Sequence, residues 1–119
     1  MKKIEAVLMP HKLDDVRAAM IELDLEQFVV GELTAHEPED AVQGRWGNKW
    51  HTDFRPRLRL EVVVDDEIAT TAAQAILRAA RTRYPNEASV TIATVEEVVE
   101  IVAEPPMTEL THRHVSAHA

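Results

Sequence analysis

Two strand–helix–strand patterns, held apart by a stretch that keeps neither period, constrain this chain more than any other feature of it. In residues 3–9, Ile4, Ala6 and Leu8 alternate with Lys3, Glu5 and Val7, the two-residue period of a strand with one buried face. Pro10 stops that run. Leu13, Val16, Met20 and Leu23 then recur at spacings of three and four and predict a helix over 12–23, with Asp14 and Asp15 at its positive end. Residues 27–35 are rich in β-formers and predict a second strand, and 57–64, alternating through Leu58, Leu60, Val62 and Val64, predict a third. Asp65 and Asp66 open a second helix whose Ile68, Ala72, Ala75, Ile76 and Ala79 share a face, with Arg78 and Arg81 near its negative end. Pro85-Asn86 ends it, and 89–93 predict a fourth strand. Residues 96–101 read either as a short helical turn or as a continuation.

This order is β-α-β twice over, which makes the chain an α+β protein of the ferredoxin-like βαββαβ sandwich type: a four-stranded antiparallel sheet covered on one face by two helices. The other face reads as rich enough in Val and Ile to need a partner, so a homo-oligomer is expected. Residues 1–103 form the domain and 104–119 a flexible C-terminal tail. The stretch 36–55 lacks either periodicity yet joins two strands that should be neighbours, and loops of this length inside compact domains are usually functional. Both tryptophans of the protein fall in it. Trp46 and Trp50, flanked by Arg45 and Lys49, have the character of partner anchors, because Trp buries a large area at little conformational cost.

Composition removes several function classes. The 119 residues suit one domain. There is no cysteine, which excludes disulfides, thiolate metal sites and cysteine nucleophiles. A formal net charge of −8 argues against nucleic-acid binding, which needs excess Lys and Arg to replace phosphate counterions. Nothing at Met1–Glu5 resembles a signal peptide and no apolar run approaches a membrane span, so a cytoplasmic protein without membrane insertion is expected. Positive charge is nevertheless concentrated, in Arg45, Lys49, Arg55, Arg57 and Arg59. That concentration suits an acidic partner or an anion as well as a solvated strand face.

The opening Met-Lys-Lys-Ile-Glu-Ala-Val-Leu-Met-Pro-His-Lys-Leu-Asp-Asp-Val resembles the start of PII signal-transduction proteins, whose first strand runs into a Pro-x-Lys-Leu-Asp-x-Val helix entry. So does Asp53-Phe54-Arg55-Pro56-Arg57-Leu58-Arg59-Leu60-Glu61-Val62-Val63-Val64. The resemblance extends from Met1 to about Ile101, with about one residue fewer in the loop. It implies a homotrimer with clefts between subunits that bind adenine nucleotide (ATP, ADP or AMP) and often 2-oxoglutarate. It also implies that the 36–55 stretch is the T-loop, which plugs into a transporter, enzyme or transcription factor.

The chain departs from the family pattern at specific places. Where the family carries Tyr-Arg-Gly-Ala-Glu-Tyr, with a last Tyr that can be uridylylated, this chain has Arg45-Trp46-Gly47-Asn48-Lys49-Trp50, and Trp50 has no hydroxyl to modify. Where the family has Thr-Gly-x-x-Gly-Asp-Gly-Lys around the phosphates, this chain has Thr82-Arg83-Tyr84-Pro85-Asn86-Glu87-Ala88-Ser89. The family's paired arginines near the last strand correspond to Glu100 and Val102. Arg83, Asn86 and Ser89 are then the expected effector contacts. They suit a less charged nucleotide or a small anion such as bicarbonate, and a regulator of the inorganic-carbon or metal-transport kind. An alternative is a metal-binding or metal-sensing module using His112, His114 and His118. No catalytic motif is visible, and an enzyme is not expected.

Overall fold

The computed structural model describes residues 1–36 and 54–101, together with the backbone of 110–113. The elements run β1 (Lys2–Leu8), a 3₁₀ turn (Pro10–Lys12), α1 (Leu13–Glu22), β2 (Val29–His36), β3 (Phe54–Val64), α2 (Asp66–Ala80), β4 (Ser89–Thr94), β5 (Val98–Ile101) and β6 (Leu110–Arg113). Strands β1 to β4 form one antiparallel sheet in the order β2-β3-β1-β4. Each β-α-β unit therefore straddles one strand of the other: β1-α1-β2 brackets β3, and β3-α2-β4 brackets β1. This is the ferredoxin-like interleaving expected from the sequence.

The core lies between the helices and one sheet face. Ile4, Ala6 and Leu8 of β1 and Leu60, Val62 and Val64 of β3 are buried, facing Val16 and Met20 of α1 and Ala69, Ala72, Ala73, Ile76 and Ala80 of α2. The alanines let α2 approach the sheet closely, so it contributes one large fully buried side chain, Ile76. Helix α1 ends where Asp24 takes a left-handed backbone (φ 63°). The Asp24 N–H donates to the Ile21 carbonyl and the Leu25 N–H to the Met20 carbonyl, each at 2.9 Å, a Schellman closure that turns Leu25 back into the core.

Three outcomes refine the sequence reading. First, 98–101 are neither a helical turn nor a fifth strand of the main sheet: they pair antiparallel with 110–113 in a separate two-stranded sheet, Val99 opposite His112 and Ile101 opposite Leu110. Four residues of the expected tail are thus in β6. Second, among the described residues the open face of the main sheet carries no Ile and mixes the valines Val7, Val29 and Val63 with a set of charged residues. The register puts Ile4, Val62, Val90 and Ile92 on the helix side and Lys3, Glu5, Arg59 and Glu61 on the open side. There Glu61 lies 4.0 Å from Lys3 Nζ and 3.8 Å from Arg59 Nε, and Arg59 Nη1 lies 3.7 Å from Glu5.

Third, β3 begins three residues before the alternating run, at Phe54. Its pairing with β1 ends at Leu8–Leu58, whereas its pairing with β2 continues through Leu33–Arg57, Thr34–Pro56 and Ala35–Arg55 to His36–Phe54. A two-stranded stem therefore extends past the end of β1. Pro56 sits in it, where β3 has a neighbour on one side only, the setting in which a strand tolerates proline. The His36 and Phe54 rings meet edge to face at 5.2 Å across the last pair.

Candidate functional site

Among the described residues, one cavity lies at the end of α2 and another beside the stem. The first, about 350 Å³, forms where α2 gives way to the turn before β4, and is walled by Leu77, Arg81, Arg83, Tyr84, Pro85 and Asn86 among others. Helix α2 delivers Leu77 and Arg81 to one side. The turn is shaped by its own polar groups. The Thr82 Oγ1 accepts the Tyr84 N–H at 3.1 Å, and its hydroxyl proton faces Glu87 Oε1 at 2.5 Å and the Tyr84 carbonyl at 3.2 Å. Asn86 takes the left-handed conformation (φ 74°), which Asn tolerates better than most residues. The Arg83 guanidinium carbon stands 5.5 Å from the centre of the Tyr84 ring, a cation–π contact on an exposed aromatic.

The second cavity, about 410 Å³, sits beside the stem and includes Pro10, Glu32, Thr34, Pro56 and Arg57 in its walls. Arg57 is 4% exposed, the one buried charged residue among those described, and its Nη1 donates to the Pro56 carbonyl at 2.9 Å. Sequence reasoning placed Arg57 only within a basic run. A strand position on the polar side of the alternation gives no sign of burial, and Arg is among the residues least often fully buried.

Of the expected effector contacts, Arg83 and Asn86 share the walls of the first cavity, and Ser89 starts β4 opposite Val7, one residue beyond the wall residue Ala88. Leu77, Arg81 and Tyr84 join the site without having been singled out. Arg45, Trp46, Lys49 and Trp50 lie outside the described residues. So do His114 and His118, while the backbone of His112 is in β6. Among the described residues no group of three His, Asp or Glu side chains is placed to hold a metal ion. Glu100 of β5 pairs with Thr111 of β6, and Val102 is outside the described residues. Among the described residues no helix is long and apolar enough to cross a membrane.

The one carboxylate among the described residues with a resolved shift is Asp66, at the start of α2. Its acid is held below the usual aspartate range, first by a hydrogen bond from the Met1 ammonium at 2.9 Å, which desolvation opposes in part, with the charges of that ammonium and of Lys2 adding smaller lowering effects. It lies away from both cavities and pins the chain start to α2.

A sequence profile described as "Nitrogen regulatory protein P-II" matches residues 1–105. Proteins of that name are similar to this chain over 102 residues, which cover 85% of it and 91% of each relative. Identity is 32% for that of Bradyrhizobium diazoefficiens, 34% for that of Azospirillum brasilense and 35% for that of Rhizobium meliloti. The "Nitrogen regulatory protein P-II 1" of Escherichia coli is 32% identical over the same span.

Proposed function

The chain belongs to the nitrogen regulatory protein P-II family, and on that premise we propose that it is a cytoplasmic homotrimeric regulator rather than an enzyme. It binds a small effector, an adenine nucleotide or a small anion such as bicarbonate, in clefts between subunits. It acts on a protein partner, a membrane transporter, through residues 36–55. The observation that carries this reading is the stem. Strands β2 and β3 are held in register up to His36 and Phe54, so the segment bearing Arg45, Trp46, Lys49 and Trp50 leaves and rejoins the domain at one point. The effector contacts in this reading are Arg83 and Asn86 of the α2–β4 cavity with Ser89 beside it. An effector in an intersubunit cleft that also reached the cavity beside the stem would bear directly on the point where the segment leaves, since Thr34, Pro56 and Arg57 belong to both stem and cavity. A few kcal/mol of differential contact is enough to choose between conformers of such a segment.

Two experiments test the reading. Affinity capture from the source organism's extract, comparing the wild type with Trp46→Ala/Trp50→Ala, should lose a specific partner in the variant; equal recovery removes the case for those anchors. Calorimetry with ATP, ADP, AMP and bicarbonate, repeated with Arg83→Ala, should show heat that the variant loses. The metal-binding alternative has no observation in its favour.

A further inference from the structure

We propose that the exposed basic and aromatic surface at the end of α2, formed by Arg78, Arg81, Arg83 and Tyr84, is a second docking point for the protein partner and receives an acidic segment of it. The inference rests on the reading that the chain acts on a protein through residues 36–55, and it adds the chemistry of a further contact.

The charges of this surface are uncompensated. Lys3, Lys12, Arg17 and Arg59 each lie within 4.0 Å of a carboxylate, whereas among the described residues Arg78, Arg81 and Arg83 have no carboxylate partner. All three are exposed, in a chain whose formal net charge is −8. Arg78 in the last turn of α2 and Arg81 at its C-cap are three residues apart and so neighbours on one helix face. The carbonyl end of the helix favours cations there without neutralising them. Nearby acids are engaged elsewhere: Glu87 meets the Thr82 hydroxyl, Asp14 faces Arg17 and Asp15 faces Lys12. Beside the arginines the Tyr84 ring is 58% exposed, with the Arg83 guanidinium carbon 5.5 Å from its centre. An exposed tyrosine among arginines is the composition from which protein-binding hot spots are built.

The register sets this surface beside the stem. Ser89, which follows the turn, is opposite Val7 at the end of β1, where Leu8 pairs with Leu58 and the stem departs. Two strand spacings, about 10 Å, separate β4 from β3. That is well inside the footprint of roughly 800 Å² that one side of a standard interface covers. A protein engaged through 36–55 thus has Arg81 and Tyr84 within reach. An acidic protein segment fits this surface better than an anionic lipid layer does. A plane of headgroups would also meet Asp14 and Asp15, which open α1 at the same end of the sheet, while a segment can seat on the arginines alone.

Fluorescence anisotropy with the fluorescein-labelled peptide Glu-Asp-Glu-Leu-Glu-Asp-Glu tests this on the full-length protein. The wild type should bind it at about 50 mM salt, bind several-fold more weakly at about 300 mM, and ignore the same peptide made with Gln and Asn. Arg78→Glu/Arg81→Glu, which spares the Arg83 of the effector reading, should lose at least about tenfold in affinity, and Tyr84→Ala should lose less. Far-ultraviolet circular dichroism of each variant should match the wild type. A wild type that does not bind the peptide, a charge-reversed variant that binds it equally, or retention on phosphatidylglycerol vesicles in its place overturns the inference. Trp46→Ala/Trp50→Ala should bind the peptide as the wild type does; loss there would put the acidic segment on 36–55 and overturn it too. The reading of 36–55 is judged separately, by whether that tryptophan variant loses its captured partner, so either can fail without the other.

Discussion

Replacing Glu61 with Lys tests which face of the sheet is covered when subunits assemble. Glu61 lies between two cations, Lys3 at 4.0 Å and Arg59 at 3.8 Å, and these side chains are 36%, 39% and 48% exposed. At that exposure each pair is worth about 0–1 kcal/mol, so an isolated subunit should lose no more than roughly 1–2 kcal/mol with the added repulsion counted. Covering the face changes the scale. A charge pair deprived of solvent and broken on one side costs about 3–5 kcal/mol, and a closed threefold assembly carries the substitution three times, giving a total on the order of 10 kcal/mol. That exceeds the roughly 8 kcal/mol of a micromolar association. Light scattering at micromolar protomer concentration should therefore show the proposed trimer lost in Glu61→Lys, with far-ultraviolet circular dichroism unchanged and Glu61→Gln intermediate. The reasoning is refuted if Glu61→Lys keeps the mass of three chains and melts within about 2 °C of the wild type, a shift that corresponds to well under 1 kcal/mol in a domain of this size.

Further outcomes follow from the core, the helix end and the chain start. Leu60→Ala, at a fully buried position between the helices and the sheet, should cost about 2–5 kcal/mol in urea unfolding. Asp24→Gly relieves a left-handed backbone at a helix C-terminus and should raise stability by about 0.5–1 kcal/mol, read as a higher urea midpoint with unchanged slope. Because the Asp66 acid is depressed in the folded state, its ionisation stabilises the fold above the unfolded aspartate value near 3.9. That contribution disappears as pH falls through the lower folded value. Between pH 6 and pH 3 the urea midpoint of Asp66→Asn should thus fall less steeply than that of the wild type; parallel curves would remove this ammonium–carboxylate pair from the acid response.

The layered plan was legible wherever one face of an element is buried and the other wet. The alternation of 57–64 and the three- and four-residue spacings of α1 each report a single buried side, which the structure buries, whereas in α2 only Ala72 and Ile76 of the expected stripe are buried and Ala69, Ala73 and Ala80 complete the face instead. Legibility ended where the signal is one of register. Lys3, Glu5, Arg59 and Glu61 read singly as solvated positions; only the pairing of β1 with β3 reveals them as a charged ladder, and the same pairing moves Ile4 and Val62 to the helix side. The stem was hidden because Arg55 and Pro56 interrupt the apolar alternation that its cross-strand neighbours nonetheless continue. Val98–Ile101 is too short to show a period, and its partner lies nine or more residues further on. In the first cavity, Arg83 and Asn86 were within reach of sequence because they share one turn. The Thr82–Glu87 contact was not, since it depends on how the turn folds back, with Asn86 at positive φ between them.

The edge-to-face seating of His36 and Phe54 closes the β2–β3 ladder at the residues that flank 37–53, and the described core is drawn from both sides of that stretch. The domain can accordingly be treated as a chassis with an interchangeable cartridge. An Asn-Gly hairpin spliced directly between the two rings would close the ladder with a native turn geometry.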